Sequence, residues 1–302
     1  MMTTRSATSF PTSENKMGVL FDLFSLTKPR LSSLVIFTSA LGLFLAPGDI
    51  SLAKMLVAIL ATSGLVAGAC VINCCMEKDI DARMERTKNR PLPSGRLSSE
   101  LALSFGLSLI LVCLVSLAAV VNLLTAFLGL VAAVVYIAFY TPMKRKTSWA
   151  LFAGAIPGAI PPLMGWTSVT GQTSLMGWAL FAILFMWQLP HFLSISIYHV
   201  KDYSAAGIKT FPAELGMHAT VHRILWSTVA LWLVSLAPYL LGYATLSYLV
   251  LASIVGVSFS LLALGGFLVE LNSPAFLRWS RLYFYGSLVY LPVIFLGMLV
   301  LQ

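Results

Sequence analysis

The stretch MLVAILATSGLVAGACVINCCM, residues 55–76, decides the fold of this chain because it contains no Asp, Glu, Lys or Arg. A helix needs about 20 predominantly apolar residues to cross a lipid bilayer. Similar charge-free stretches recur along the chain, and the three longest must each fold back into two helices. These stretches cover residues 31–47, 55–76, 101–143, 147–200, 224–269 and 282–302.

We therefore predict an all-α, polytopic membrane protein with about nine transmembrane helices. The composition agrees, since 59% of the residues are hydrophobic and only 10% are charged, against roughly a quarter in a soluble domain. Residues 1–30 are predicted to be a cytoplasmic N-terminal tail, and residues 31–302 a single transmembrane domain of two four-helix units plus a ninth helix. The predicted helices cover about residues 31–46, 54–74, 100–120, 123–141, 149–166, 174–196, 222–242, 245–268 and 282–301.

The N-terminal tail and the cysteines carry little functional signal. The tail lacks the ordered basic, apolar and small-residue regions of a cleavable signal peptide. Residues 17–26 fit either a short amphipathic segment on the membrane surface or a flexible tail. Because Cys70, Cys74, Cys75 and Cys113 lack CxxC spacing, we predict neither a disulfide framework nor a zinc site.

The charges predict the orientation. With the N-terminus inside, eighteen of the nineteen Lys and Arg residues fall on one side of the predicted membrane, and only Lys54 falls on the other. This asymmetry satisfies the positive-inside rule and explains the net charge of +8 without nucleic acid, for which no motif is present. All acidic residues except Asp49 lie on the same side. The chain is therefore predicted to have one chemically equipped face, which faces the cytoplasm.

Most of this chemistry is concentrated in NCCMEKDIDARMERTKNRPLPSGR, residues 73–96. The i, i+4, i+8 spacing of Asn73, Glu77 and Asp81 predicts three oxygen-bearing side chains on one stripe of a helix that continues the second span. Such oxygens are the ligands that Mg²⁺ prefers, with water and phosphates as its other ligands. Arg86 and Arg90 could then bind the phosphate oxygens. The alternative is a solvated loop whose charges only set the topology.

The first part of this stretch, residues 73–92, resembles the first signature of the UbiA superfamily of membrane prenyltransferases, and most closely its haem-farnesylating branch. Glu77 stands where bacterial members usually carry Asp, which leaves the metal geometry open. The resemblance implies a helical bundle around a central cavity, with Mg²⁺ or Mn²⁺ held by Asn73, Glu77 and Asp81.

A second motif, YTPMKRKTSWA at residues 140–150, resembles the sequence that the superfamily places beside the diphosphate. Lys144 and Arg145 can donate to phosphate oxygens, and the ring of Tyr140 can contact an allylic cation. The alternative is a basic cluster at a helix end that only sets the topology. The stretch LTKPRLSSLVIFT, residues 26–38, also resembles the branch, but a basic residue before a span is a routine topology anchor.

Two stretches in the second half, WQLPHF (187–192) and YHVKDYSAAGIKTFP (198–212), resemble the haem-farnesylating branch specifically. Many other members carry a second Asp-x-x-x-Asp here, whereas this chain has a single Asp202, which we predict to be a metal ligand, with Lys201 beside it as a catalytic residue. His191 and His199 are candidate haem contacts, because His is a usual axial ligand of haem iron. The alternative is a histidine that hydrogen-bonds a neighbouring helix.

The resemblance implies transfer of a farnesyl group from farnesyl diphosphate to the 2-vinyl group of haem B, with water completing haem O. It also implies a bacterial inner-membrane enzyme, with haem A synthase or terminal oxidase assembly proteins as partners. One alternative is a superfamily member that prenylates a quinone precursor or chlorophyllide. Another is a secondary transporter, although transporters usually place ionisable groups near the bilayer midplane, and here they lie at predicted helix ends.

Overall fold

The computed structural model describes residues 13–301, and within this range the secondary structure is helical, without strands. Residues 1–12 of the predicted tail lie outside the described part. The helices, in chain order, are α1 (Ser13–Leu26), α2 (Pro29–Phe44), α3 (Leu52–Met76), α4 (Lys78–Asp81), α5 (Ser99–Ser116), α6 (Leu123–Val134), α7 (Thr141–Met143), α8 (Ala150–Thr170), α9 (Leu175–Tyr198), α10 (Val200–Ala205), α11 (Phe211–Ser235), α12 (Ala237–Leu240), α13 (Leu246–Leu264) and α14 (Pro274–Val300).

The all-α membrane class predicted from the sequence is confirmed. Within residues 13–301, seven helical segments are long and apolar enough to cross a bilayer. Helices α2 and α8 also coincide with predicted spans, but α2 has only 16 residues and α8 contains three prolines. The count of nine spans therefore stays a prediction.

Two helices begin earlier than predicted because of local capping. α11 begins at Phe211, where Pro212 occupies the first turn, and it bends at Gly216, whose φ of 84° is not helical. α14 begins at Pro274, and the hydroxyl of Ser273 accepts a hydrogen bond from the amide of Phe276. A proline in the first turn and a serine cap are strong helix starts, so both helices extend beyond the apolar stretches.

The helices close into a bundle in which α2 and α8 pack directly on each other. α2 also contacts α3 and α14, so the first and last predicted spans meet. Gly165 of α8 permits the close approach, because a Cβ at this position would lie 2.0 Å from the carbonyl oxygen of Ser39. Outside the bundle, exposed leucines such as Leu107 and Leu111 of α5 form the apolar surface that a lipid environment requires.

Helix α1 packs against the bundle through Leu26 and Asp22. Leu26 is buried with Val71 and Leu97, while Asp22 pairs with Arg96 across 3.2 Å. Met17, Leu20, Phe21 and Phe24 are exposed on its other face. Residues 17–26 are therefore helical with an exposed apolar face, and their position on the membrane surface stays a prediction.

The segment Val135–Tyr140, which continues α6, is a π-helix. π-helical turns are rare and are frequent at functional sites. Here the carbonyl oxygen of Tyr136 accepts hydrogen bonds from both the amide and the hydroxyl of Thr141. The wider turn brings the rings of Tyr136 and Tyr140 to a centroid separation of 5.3 Å.

Candidate active site

A cavity of about 470 Å³ runs into the bundle between α2, α3, α6, α8 and α9. Its inner part is apolar and is lined by residues from the middle of the membrane helices, such as Leu65, Pro161 and Leu184. Its other end, which we call the charged end, is lined by Lys28, Glu77, Asp81, Arg86, Arg90 and Lys144. The cavity thus joins a polar binding region to a chamber suited to a hydrocarbon chain.

Glu77 and Lys144 face each other at the charged end. Nζ of Lys144 lies 2.7 Å from Oε1 of Glu77 and 4.5 Å from the centroid of the Tyr140 ring. Burial alone would lower the pKa of Lys144, but Tyr140 and Glu77 raise this pKa above its ordinary value. The ammonium group therefore stays charged at neutral pH.

Tyr140 can approach this pair because α8 carries a glycine beneath it. A Cβ at Gly154 would lie 2.5 Å from the Tyr140 ring, so any other residue there would displace the ring. The ring also lines the cavity. Tyr140 therefore lines the cavity beside Lys144 of the charged end; its predicted contact with an allylic cation stays a prediction.

Asp81 forms the second ion pair of the charged end. Its side chain is 4% exposed, and its Oδ2 accepts a hydrogen bond of 2.9 Å from Nη1 of Arg90. The loop is fixed locally, because the hydroxyl of Thr87 donates to the backbone carbonyl of Asp81. Two carboxylates are thereby held at the cavity end by cations that can exchange them for phosphate oxygens.

The predicted continuous stripe through Asn73, Glu77 and Asp81 is wrong in one respect. α3 ends at Met76, and Glu77 has φ −103° and ψ 11°, outside the helical region. The backbone hydrogen bonds from Glu77 to Asn73 and from Asp81 to Glu77 nevertheless persist. The hydrogen-bond pattern of the helix therefore continues across Glu77, although the backbone departs from helical geometry at this residue.

Asn73 is fully buried and does not line the cavity itself. Its Oδ1 accepts from Nζ of Lys28 across 2.9 Å, and its Nδ2 donates to the hydroxyl of Thr141 across 3.0 Å. Asn73 thus connects α3 to the basic residue before α2 and to the turn after α6. Its predicted role as a metal ligand stays a prediction.

Lys28 lines the site, although its sequence context predicted only a role in topology. It lines the cavity and has a φ of 52°, in the left-handed region that residues other than glycine rarely adopt. The proline that follows it disfavours a right-handed helical conformation at Lys28. The Lys-Pro pair is the sequence feature that could have predicted a turn at Lys28, between α1 and α2.

The stretch at residues 198–212 meets the charged end through contacts with Arg86. Nε of Arg86 lies 3.4 Å from Oδ2 of Asp202, and the guanidinium lies 5.0 Å from the centroid of the Tyr203 ring. Arg86 and Tyr203 line the cavity, whereas Asp202 does not, and Lys201 is exposed. The loops after α3 and α9 therefore meet, but Asp202 contacts a cation rather than Glu77 or Asp81.

Arg145 lies apart from the cavity. Its guanidinium donates to both carboxylate oxygens of Asp79, at 2.6 and 2.9 Å, and this pair is exposed. The hydrogen bonds from Arg145 lower the pKa of Asp79. Of the two adjacent basic residues that the sequence predicted to bind diphosphate, only Lys144 lines the cavity.

The two histidines that the sequence predicted as haem contacts lie in different surroundings. His191 is buried, lines the cavity and bonds through Nδ1 to the hydroxyl of Ser287 at 2.7 Å. His199 follows α9 and contacts the rings of Tyr198 and Tyr203 without lining the cavity. Burial lowers the pKa of His199, and the charge of Arg86 adds to this effect.

The donor set fits a Mg²⁺ ion that is held jointly with a substrate. No group of three or more His, Cys, Asp or Glu side chains comes together within the described residues, which argues against a cage made by the protein alone. Mg²⁺ characteristically uses one or two carboxylates and takes its remaining ligands from water and substrate phosphates. Glu77 and Asp81, both at the charged end, meet this requirement.

The chain is similar to known proteins over most of its length. A model of the UbiA prenyltransferase family matches residues 35–288. The protoheme IX farnesyltransferase of Myxococcus xanthus (strain DK1622) is 46% identical over 282 residues, which cover 93% of this chain and 95% of the relative.

Solved structures show the same fold at low sequence identity. The structure of a digeranylgeranylglyceryl phosphate synthase superposes with a TM-score of 0.78 at 16% identity, covering 94% of this chain and 98% of the other. A UbiA homolog from Archaeoglobus fulgidus, bound to DMAPP and Mg²⁺, superposes with a TM-score of 0.68 at 15% identity and covers 93% of this chain and 100% of the other. The fold is therefore shared well beyond the haem-related members.

Proposed function

This chain belongs to the UbiA prenyltransferase family, and on that premise we propose that it transfers a farnesyl group from farnesyl diphosphate to the 2-vinyl group of haem B. The products are haem O and diphosphate. Family membership confirms the resemblance seen in the sequence. The choice of haem as acceptor is supported by the 46% identity to a protoheme IX farnesyltransferase over nearly the whole chain.

One observation carries the proposal: two buried carboxylates, each paired with a cation, lie at one end of an apolar cavity. Glu77 and Asp81 would hold Mg²⁺, with Asn73 and Asp202 as further predicted ligands. When bound, the metal supplies positive charge that stabilises the departing diphosphate. Lys144, Arg90 and Arg86 would release their carboxylate partners and donate to the phosphate oxygens.

The second part of the reaction would take place in the apolar chamber. The C–O bond of farnesyl diphosphate breaks, and its electron pair leaves with the diphosphate. The ring of Tyr140 would contact the allylic cation that remains, and the surrounding apolar side chains would keep water away from it. The electron pair of the vinyl group then forms the new C–C bond, after which water adds to the resulting cation and loses a proton.

The proposal also covers the location of the enzyme in the cell and the side of the membrane on which its active site opens. Because eighteen of nineteen Lys and Arg residues fall on the side of the charged end, the active site would open to the cytoplasm. The enzyme would reside in a bacterial inner membrane and pass haem O to haem A synthase or to terminal oxidase assembly proteins. Lys201 stays a predicted contributor from its sequence motif, Arg145 acts in the fold through its pair with Asp79, and Mn²⁺ stays a predicted substitute for Mg²⁺.

The test is an acceptor comparison with the purified protein in detergent. The protein is incubated with farnesyl diphosphate and Mg²⁺, and with haem B, a quinone precursor or chlorophyllide as the acceptor, before the products are identified by mass. We expect a haem whose mass has increased by one farnesyl group and one hydroxyl group. Prenylation of the quinone precursor or chlorophyllide, with haem B unchanged, would overturn the choice of acceptor.

A further inference from the structure

His191 is held in one orientation by residues of α9 and α14. Its ring stacks on Trp187 at a centroid separation of 4.5 Å and contacts the Phe284 ring at 5.0 Å. The indole N–H of Trp187 in turn donates to the backbone carbonyl of Ser287 across 2.7 Å. Ser287 therefore fixes both the histidine, through its hydroxyl, and the tryptophan on which the histidine stacks.

The hydrogen bonds of Ser287 determine the tautomer of His191. The serine hydroxyl has one proton, and the Oγ contacts both the carbonyl oxygen of Phe284 and Nδ1 of His191. A carbonyl oxygen can only accept, so the hydroxyl proton must go to Phe284. Oγ then accepts from Nδ1–H, and the lone pair of the neutral imidazole resides on Nε2.

The lone pair on Nε2 is available to the cavity. His191 lines the apolar chamber, and within residues 13–301 its Nε2 has no hydrogen-bond partner. An imidazole whose Nδ1–H is bonded to the protein, with Nε2 free, is the arrangement found in protein ligands of metals, because the outer hydrogen bond orients the ring and increases its basicity.

We propose that Nε2 of His191 is the axial ligand of the haem iron and that Ser287 is the positioning residue that fixes this tautomer. The inference rests on the proposed function for the identity of the substrate. Coordination needs no proton release, because Nε2 is already unprotonated. The iron–nitrogen bond would anchor the macrocycle in the apolar chamber, so that its vinyl edge is held while the farnesyl cation forms.

The experiment titrates ferric haem B and metal-free protoporphyrin IX into the purified full-length protein and records absorption spectra. We expect His191→Ala to weaken haem B binding about tenfold or more and to shift the Soret band, while added imidazole restores the parent spectrum. Binding of the metal-free porphyrin should be equal in both proteins, because it has no iron to coordinate.

Ser287→Ala should weaken haem B binding and shift the Soret band in the same direction, and Ser287→Thr, which retains the hydroxyl, should restore both. Ser280→Ala is the matched control, because Ser280 is buried on the same helix and donates to the Leu277 carbonyl, outside the cavity. An unchanged haem spectrum in His191→Ala, or an equal loss of metal-free porphyrin binding, would overturn the inference while leaving farnesyl transfer intact. A parent protein that binds no haem B would overturn the proposed function itself.

Discussion

Lys144 and Glu77 form an ion pair of 2.7 Å across the charged end of the cavity, although they lie far apart in the chain, as do Arg145 and Asp79, which 66 positions separate. The two pairs arise from one docking of the turn after α6 against the end of α3. Only the first pair faces the cavity. Two neighbouring basic residues thereby lie in different surroundings, since Lys144 lines the cavity and Arg145 is exposed.

Lys144→Ala should raise the KM for farnesyl diphosphate about tenfold, because a charge-assisted contact to the phosphate is lost. It should also lower the free energy of unfolding by about 1–3 kcal/mol, since Glu77 loses its partner while it stays buried. Steady-state kinetics and thermal unfolding in detergent measure both effects. Lys146→Ala, an exposed residue of the same turn, is the control, and an equal effect there would contradict the assignment.

Arg145→Ala should change the KM for farnesyl diphosphate less than twofold, in contrast to Lys144→Ala. Its guanidinium is engaged with Asp79 at an exposed position, where ion pairs contribute about 0–1 kcal/mol. Steady-state kinetics of Arg145→Ala and Lys144→Ala, measured side by side, compare the two KM values for farnesyl diphosphate. A tenfold increase in KM would show that Arg145 turns toward the substrate and would restore the role predicted from the sequence.

Asp81→Ala should reduce turnover about 100-fold or more, because a proposed metal ligand is lost, while the protein remains folded. Arg90, its partner, is partly exposed, so water can replace the missing carboxylate. Product formation by mass and the melting temperature are measured together. Asp79→Ala is the control, because Asp79 carries the same charge two positions away but bonds Arg145 outside the cavity; full activity of Asp81→Ala would remove Asp81 from the site.

Reporter fusions test the orientation on which a single site depends. Fusions after Asp49, Gly171 and Thr245 should report the outside, and fusions after Gly95, Arg145 and Gly216 the inside, because Lys and Arg are concentrated on the latter side. An outside signal at Gly95 would contradict the cytoplasmic placement of Glu77 and Asp81.

The sequence predicted the apolar helices well because a stretch of about 20 residues without charge can be recognised locally and indicates a membrane span. It predicted helix ends less well. The start of α14 depends on a Ser273 cap and a following proline, and the shape of α11 depends on one left-handed glycine, Gly216. Both features involve only one or two residues, and the apolar stretches on which the helix predictions were based do not include them.

Within the site, the sequence identified residues but not their partners. Glu77, Asp81 and Lys144 stood out by spacing and motif, yet their pairing depends on contacts between distant segments. Lys28 was missed because the positive-inside rule already explained it, and Ser287 because its contact with His191 spans 96 positions. Single-sequence patterns carry no information about such contacts.

Glu77 provides the most direct test of the central claim, that a metal-held diphosphate is cleaved at the charged end. A metal site requires a negative oxygen donor at this position, so Glu77→Asp should retain substantial activity with a shifted metal dependence, since Mg²⁺ demands a near-octahedral geometry. Glu77→Gln keeps the shape but lacks the charge. The decisive measurement is haem O formation as a function of Mg²⁺ concentration for the parent and both variants. We expect Glu77→Gln to require about tenfold more Mg²⁺ or to be inactive, and an unshifted curve for Glu77→Gln would contradict the account.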